Sequence, residues 1–411
     1  MKSHCGMLSR LISFLLMSLI GLPAMCIESN DSVIPGAGDD GFISCSLLTV
    51  SPGAEIYQPF GHALIRMECP SAGLDFVFTF ETDGDRSVWE NFFYGSQGMV
   101  VAVESDRFLR DIAGEMRGVA AFRLNLSPSQ KQKLWQELDA LIARPAVNFN
   151  LRQQNCMSEM LAAVNTAIYP DTIDIGSPQL QRINNAAMMD HMMAERRPWA
   201  ALAYKIGTGA QCDDVDTWLT RTTPALFDEI YRDARIVSPD GRTRPLVAGS
   251  RKILIEPVSD FGDTSVHPQT AAWIFACLVL LLCVIDFSGR CRVSVRVADG
   301  TLLALQTVAA SILMLLALSP YGIGHGWNWY LIVFNPFPAL LWIVLRGNKH
   351  QGPLYLCYSI VLVAFVIIVP TLTSEVDTTG IIVVSALALR CAVKYALSIS
   401  GRKFRPGLFS R

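Results

Sequence analysis

Five apolar stretches after His267 constrain this chain more than any other feature. They cover residues 271–287, 302–318, 329–345, 354–372 and 381–399. Allowing for tilt and flanking residues, each is long enough to cross a bilayer as a helix. Hydrocarbon offers no water to a free N–H or C=O, so such stretches must close their backbone hydrogen bonds internally. The back of the chain is therefore expected to be an all-α bundle of about five transmembrane helices. Charges between the stretches orient it. Arg290, Arg292 and Arg296 follow the first, Arg346 and Lys349 the third, and Arg402, Lys403, Arg405 and Arg411 the fifth; the connections after the second and fourth carry no Lys or Arg. Basic connections stay cytoplasmic, so the first crossing runs from outside inward and the chain before it is exported.

The other end of the sequence agrees. Lys2 and Arg10 precede an apolar run over 11–22 that is too short to span, and LPAMC follows at 22–26. This pattern predicts a secretory signal peptide at 1–26. The alternative is a lipoprotein signal acylated at Cys26, although Met25 stands where a small residue is usual. The expected division is a signal at 1–26, an exported domain at 27–268, and a transmembrane domain at 269–411 with a cytoplasmic tail. The expected location is multi-pass in the inner, cytoplasmic membrane with the exported domain in the periplasm. A hydrophobic content of 51% with a mean hydropathy of +0.34 fits such a split chain. Net charge is −2, and the exported part has no basic patch interleaved with aromatics, so no nucleic-acid partner is expected. Eleven cysteines are scattered without a CxxC pair, which argues against a zinc site and calls for no metal or cofactor. Cys45 and Cys69 can bridge if their strands are neighbours.

The exported part changes period along its length. Residues 43–50, 62–67 and 74–80 are short runs of branched and aromatic residues separated by Ser-Pro-Gly and Ser-Ala-Gly turns, which predicts a small antiparallel sheet. From Ser127 the period becomes helical, with a capping serine and a first-turn proline. A second helix starts near Cys156, and Met157, Met160, Leu161, Val164 and Ile168 share its buried face. The domain is α+β.

Cys156 stands where the polar segment 148–155 (NFNLRQQN) gives way to that helix. Helix N-termini carry partial positive charge and free N–H donors, so a thiol there is poised as a thiolate. Read alone, the same residue is equally a small hydrophobe that begins a core face. Of six histidines, only His62, His191, His267 and His325 lie on the exported side, and His62 alone sits at a loop-to-strand junction, where a base can be held rigidly. A thiol at a helix N-terminus against a sheet bearing the base is the arrangement of papain-like enzymes, here in the permuted order of base before nucleophile. That order puts the residue orienting His62 on the next strand, where Thr79 and Glu81 share a face. Asn155 or Gln154 is a candidate oxyanion donor. His325, Trp327, Asn328 and Asn335 cluster in the second outward loop, where Phe334-Asn335-Pro336-Phe337-Pro338 interrupts the third stretch; the cluster reads as an interfacial aromatic belt with a kinked helix or as a lipid-facing site. Arg390 and Lys394, in the inner half of the last stretch, are expected to snorkel to the cytoplasmic surface.

The stretch 47–67 (LLTVSPGAEIYQPFGHALIRM), the 75–80 strand, Asn155-Cys156, Arg197-Pro198-Trp199 and 325–336 (HGWNWYLIVFNP) resemble the family of the Lnb N-terminal periplasmic domain with its Lnb-like transmembrane region. Thr79-Phe80-Glu81 stands where that family usually has Asn-Tyr-Gly. The resemblance implies lipoprotein N-acylation: a fatty acyl chain passes from a phospholipid donor to the N-terminal amine of a diacylglyceryl-cysteine lipoprotein, through a thioester on Cys156 with His62 as acid and base. The alternatives are another papain-like activity, a cell-wall peptidase or phospholipase, and a non-catalytic membrane assembly factor.

Overall fold

The computed structural model describes residues 43–53, 58–82, 95–150, 154–176, 183–195, 197–215, 218–255, 266–289, 291–319, 325–344 and 351–400. The signal-like segment, Arg290, the connection 345–350 and the basic tail lie outside the described residues.

An antiparallel sheet of seven strands organises the exported part. In chain order its elements are β1 (Ser44–Val50), β2 (His62–Cys69), β3 (Leu74–Thr82), β4 (Gln97–Glu104), α1 (Ser105–Gly114), β5 (Val119–Leu124), α2 (Pro128–Ala143), β6 (Val147–Asn148) and α3 (Cys156–Ile168). Three short strands, β7 (Thr172–Asp174), β8 (Arg235–Val237) and β9 (Thr243–Pro245), form a separate sheet. β10 (Val247–Leu254) returns to pair with β5, so the main order is β10-β5-β1-β2-β3-β4-β6. Alternation along the strands sorts side chains to two faces. Leu47, Ile65, Met67 and Phe78 pack with α2 and α3, whereas Leu48, Leu64 and Val77 pack with Phe108 and Ile112 of α1. Both faces are thus covered, and the sheet is larger than the three strands expected. β4 and β10 carry charges and glycines that weaken the alternation, and β10 joins β5 from far along the chain, where local pattern gives no sign of it.

α2 and α3 each begin with a reciprocal side-chain cap. Ser127 accepts from the Gln130 N–H while the Gln130 side chain accepts from the Ser127 N–H, and Pro128 fills the first turn of α2. Asn155 and Ser158 form the same reciprocal box at α3. Such caps are worth roughly 1 kcal/mol each. Met157, Met160, Leu161, Val164 and Ile168 are all buried, the face read from their spacing. Cys45 and Cys69 are free thiols. β1 and β2 do neighbour each other, but their register pairs Cys45 with Met67 and leaves Cys69 two residues away.

After α4 (Asn185–Met193) and α5 (Pro198–Thr208) comes the membrane part: α6 (Pro268–Ser288), α7 (Arg292–Leu318), α8 (Phe337–Val344), α9 (Gln351–Leu372) and α10 (Thr378–Ile399). Among the described residues four helices, α6, α7, α9 and α10, are long and apolar enough to cross a membrane. The third stretch is interrupted where Phe334-Asn335-Pro336-Phe337-Pro338 leads one to expect it: its described residues form a 3₁₀ turn at Trp329–Ile332 and α8, with the Asn335 side chain capping the restart at Phe337. Trp327 and Asn328 bond to the exported part, through Ala210 N–H to Trp327 O and Asn328 Nδ2 to Ile206 O. Gly352 lies against Ser398 at the far end of α10. Up to residue 344 the third stretch therefore runs from the exported part into the bundle as a broken helix, with Pro336 and Pro338 removing donors a continuous helix needs.

Arg390 and Lys394 do not snorkel. Arg390 is buried, grips both oxygens of Asp299 at 2.8 and 2.9 Å, and meets Asp286 at 2.9 Å; Lys394 meets Asp299 at 2.6 Å and Asp286 at 3.0 Å. The two aspartates on α6 and α7 hold the cations inside the bundle, where pairing offsets the cost of burying them.

Candidate active site

Cys156 is the first residue of α3, its position fixed by the Asn155–Ser158 box. Asn155 is buried, and its amide nitrogen also donates to Thr222 at 2.9 Å. Behind the thiol, Glu159 takes an ion pair from Arg144 at 2.6 Å and a hydrogen bond from Gln154 at 3.2 Å. Asn155 and Gln154 are thereby engaged in holding the helix start. The two candidate oxyanion donors thus have bonding tasks that their sequence position does not reveal.

His62 opens β2 directly after Gly61, whose φ of +76° lies in the left-handed region. A Cβ there would fall 2.6 Å from the Val50 carbonyl oxygen, so only glycine permits the turn. The imidazole hydrogen-bonds the Cys156 thiol. Its Nε2 lies 2.6 Å from Thr79 Oγ1 and 3.5 Å from Glu81 Oε1, and the Thr79 hydroxyl donates to Glu81 at 2.8 Å. With Nε2 occupied, Nδ1 is the nitrogen left for the sulfur. The register that pairs Leu64 with Thr79 brings Glu81 opposite His62, so one strand pairing assembles base, hydroxyl and carboxylate. Their donors run in one direction, Nε2–H to Thr79 and Thr79 O–H to Glu81.

This arrangement separates charge across the sulfur and the ring. Burial opposes ionisation of Cys156, but the charge and hydrogen bond of His62 and the backbone N–H groups of Ala63 and Met157 outweigh it and hold the thiol below its usual pKa. Burial likewise opposes protonation of His62, and the thiolate and Glu81 overcome it, raising the imidazole well above its ordinary value. Glu81 is lowered by its hydrogen bond from His62, against a smaller opposing effect of burial. Both shifts favour a thiolate beside an imidazolium, the form in which a cysteine is nucleophilic.

The other candidates lie elsewhere. His191 is on the surface, 3.1 Å from Glu229, and His267 caps α6 by accepting from the Gln269 N–H at 3.3 Å. Asn328 is buried, accepts from Tyr330 N–H at 3.0 Å and donates to Ile206 O at 2.6 Å, while the Asn335 amide donates to Ile332 O at 2.9 Å. The His325 carbonyl accepts from Gln211. Trp327 is exposed and meets Trp329 edge to face at 5.9 Å. This loop docks the bundle against the exported part. Among the described residues no group of His, Cys, Asp and Glu has the spacing of a metal site.

Sequence reasoning passed over α5. Its Tyr204 ring meets Phe60, two residues before His62, edge to face at 5.0 Å, while Ile206 packs into the bundle core with Tyr330 and Leu313. One short helix thus connects the loop carrying the base to the outer end of the bundle. Nothing local in its sequence shows that it serves two cores.

A sheet domain outside the membrane, joined through one helix to a bundle within it, defines a membrane-anchored protein with a periplasmic domain. The Lnb N-terminal periplasmic domain matches residues 42–183 and the Lnb transmembrane domain matches residues 260–402, and the chain belongs to the family these two domains make up. Membership points to a part in lipoprotein maturation. No curated protein and no solved structure matches the chain.

Proposed function

We propose that this protein is a cysteine-dependent lipoprotein N-acyltransferase of the inner membrane. It moves a fatty acyl chain from a phospholipid to the N-terminal amine of a diacylglyceryl-cysteine lipoprotein. The observation that carries the reading is the Cys156–His62 pair at the start of α3, one helix away from the bundle. A thiol at a helix N-terminus against an antiparallel sheet bearing its base is the papain-like arrangement. A wall peptidase has no need of such closeness to a membrane.

Cys156 thiolate attacks the ester carbonyl carbon of the phospholipid, and the electron pair moves onto the carbonyl oxygen. In the first turn of α3 the Ser158 N–H is taken by the cap and the Met157 N–H by the sulfur, so the Cys156 N–H is the donor for that oxygen, within the helix-start charge that favours an anion. Collapse of the tetrahedral intermediate breaks the C–O bond, and His62 gives its proton to the departing lysophospholipid, leaving a thioester and a neutral imidazole. The lipoprotein amine, with a pKa of about 7.7–8.0 when unperturbed, then attacks the thioester. His62 takes its proton, the C–S bond breaks, and the amide leaves with the thiolate–imidazolium pair restored. Thr79 and Glu81 hold the ring through both steps. Both substrates are anchored in the membrane, so attachment to the bundle confines the search to two dimensions and raises their effective concentration.

The test is to give the purified protein phospholipid vesicles without an amine acceptor. An acyl adduct labile to neutral hydroxylamine should accumulate on Cys156 and be absent from Cys156→Ala. Turnover to free fatty acid instead identifies a phospholipase. Normal triacylated lipoproteins in a Cys156→Ala strain with no other transferase would overturn the proposal.

A further inference from the structure

A second feature lies at the opposite end of the bundle. Between α7, α8, α9 and α10 is a cavity of about 270 Å³, the volume of roughly nine water molecules at liquid density. Leu302, Leu303, Phe337, Leu354, Val361 and Leu387 give it an apolar wall.

Most side-chain polar groups on its border already have protein partners. Gln306 and Tyr358 both donate to the Val333 carbonyl exposed by the broken stretch, and the Asn335 amide bonds Ile332 O and the Phe337 N–H. Arg390 is spent on Asp299 and Asp286. Nothing there calls for a chain of waters, and packed interiors hold few voids larger than one water. Lys394 is the exception. It lies one turn nearer the inner end of α10 than Arg390 and keeps 20% of its side chain exposed, and its ammonium has three donors for two carboxylates. An apolar hollow between membrane helices with a partly exposed cation toward its inner end has the chemistry of an amphiphile with an anionic head.

We infer that this cavity holds one acyl chain of an inner-leaflet glycerophospholipid whose phosphate meets Lys394. This lipid is distinct from the acyl donor, because the cavity and Cys156 lie at opposite ends of the bundle. Its chain lies along Phe337 and Leu303 and so fills the space beside the broken third stretch, the segment whose outer end bonds α5.

The experiment uses the full chain purified in mild detergent, with bound phospholipid counted by native mass spectrometry. Wild type and Cys156→Ala should each retain one phospholipid. Leu303→Trp, which fills the cavity, should retain none, and Lys394→Gln should lose it at a lower detergent concentration than wild type. To keep the outcome independent of how well the tryptophan variant folds, wild type is also reconstituted in phosphatidylglycerol vesicles whose acyl chains carry a diazirine. Crosslinks should map to α7 around Leu303, α9 around Val361 and α10 around Leu387. A wild type without bound phospholipid, retention unchanged in Leu303→Trp, or crosslinks confined to the outer faces of the helices would each overturn the inference. Loss of the lipid in Cys156→Ala alone would overturn its separation from the acyl donor.

Discussion

Replacing Glu375 by glutamine tests how the exported part and the bundle are joined. Glu375 lies in the connection between α9 and α10 with no exposed surface; Oε2 accepts the Trp329 N–H at 3.2 Å, and Oε1 has no partner. Burial pushes its carboxyl from 4.5 up to about 7, against the N–H groups of Trp329 and Tyr330, which favour the charged form, and with a smaller upward push from Asp213. Of the other groups facing it, Cys212 is pushed up to about 12 by burial and stays a thiol throughout the range concerned. A folded pKa raised by that much corresponds to about 3 kcal/mol. Below pH 4.5 both folded and unfolded chains carry the proton and nothing is lost. Between there and pH 7 the unfolded chain ionises first, so stability falls as pH rises, and above the folded pKa the loss is complete. Glutamine keeps the accepting oxygen and cannot ionise. Thermal unfolding of the detergent-solubilised protein should therefore show Glu375→Gln level with wild type near pH 4.5 and more stable by several degrees above neutrality. Parallel pH profiles for the two proteins, or a less stable variant above pH 7, would refute the reasoning.

Three further outcomes are expected. Glu81→Gln removes a charge that raises the His62 pKa, so the alkaline limb of acyl-enzyme formation should move to lower pH, and the rate should drop by roughly 10- to 100-fold; a pH–rate profile checks both. Asn155→Ala loses the α3 cap, removing the acceptor of the Ser158 N–H and one hydrogen bond to Thr222 Oγ1, and costs about 1–2 kcal/mol in a denaturation assay. Arg390→Leu strands Asp299 and Asp286 against one lysine and should lower bundle stability by about 3 kcal/mol or more, read as earlier thermal unfolding in detergent.

Where function depends on local chemistry, much was legible in advance. The cap that starts α3, the buried methionine face behind Cys156 and the strand that presents His62 are written in consecutive residues, and periodicity exposes them. Thr79 and Glu81 could be named as a pair because alternation puts them on one face; that Thr79 is the nearer partner depends on register, which no single strand encodes. The Ala63 and Met157 N–H groups that hold the sulfur are backbone, invisible to any search for functional side chains. In the membrane, hydropathy located the apolar stretches, and Asn335-Pro336 marked the interruption of the third, though hydropathy alone cannot say how a chain breaks there. The ion cluster was missed because Asp286, Asp299 and Arg390 come from three helices, and pairing across helices leaves no trace in any one of them.

Because α5 belongs to both cores, the peptide connection before α6 is not what keeps the periplasmic part in place. Lys205 reaches Asp377 at 3.5 Å, Asn184 reaches Ser374 at 2.9 Å, Asp213 accepts the Ser374 N–H at 2.7 Å, and Asn328 clasps Ile206 O. A protease that nicked the segment 256–265 would leave two fragments that copurify, with the loop before His62 still held at the outer end of the bundle. The periplasmic part is thus better pictured as a fixed bench than as a head on a leash: whatever meets the thiol must come to it.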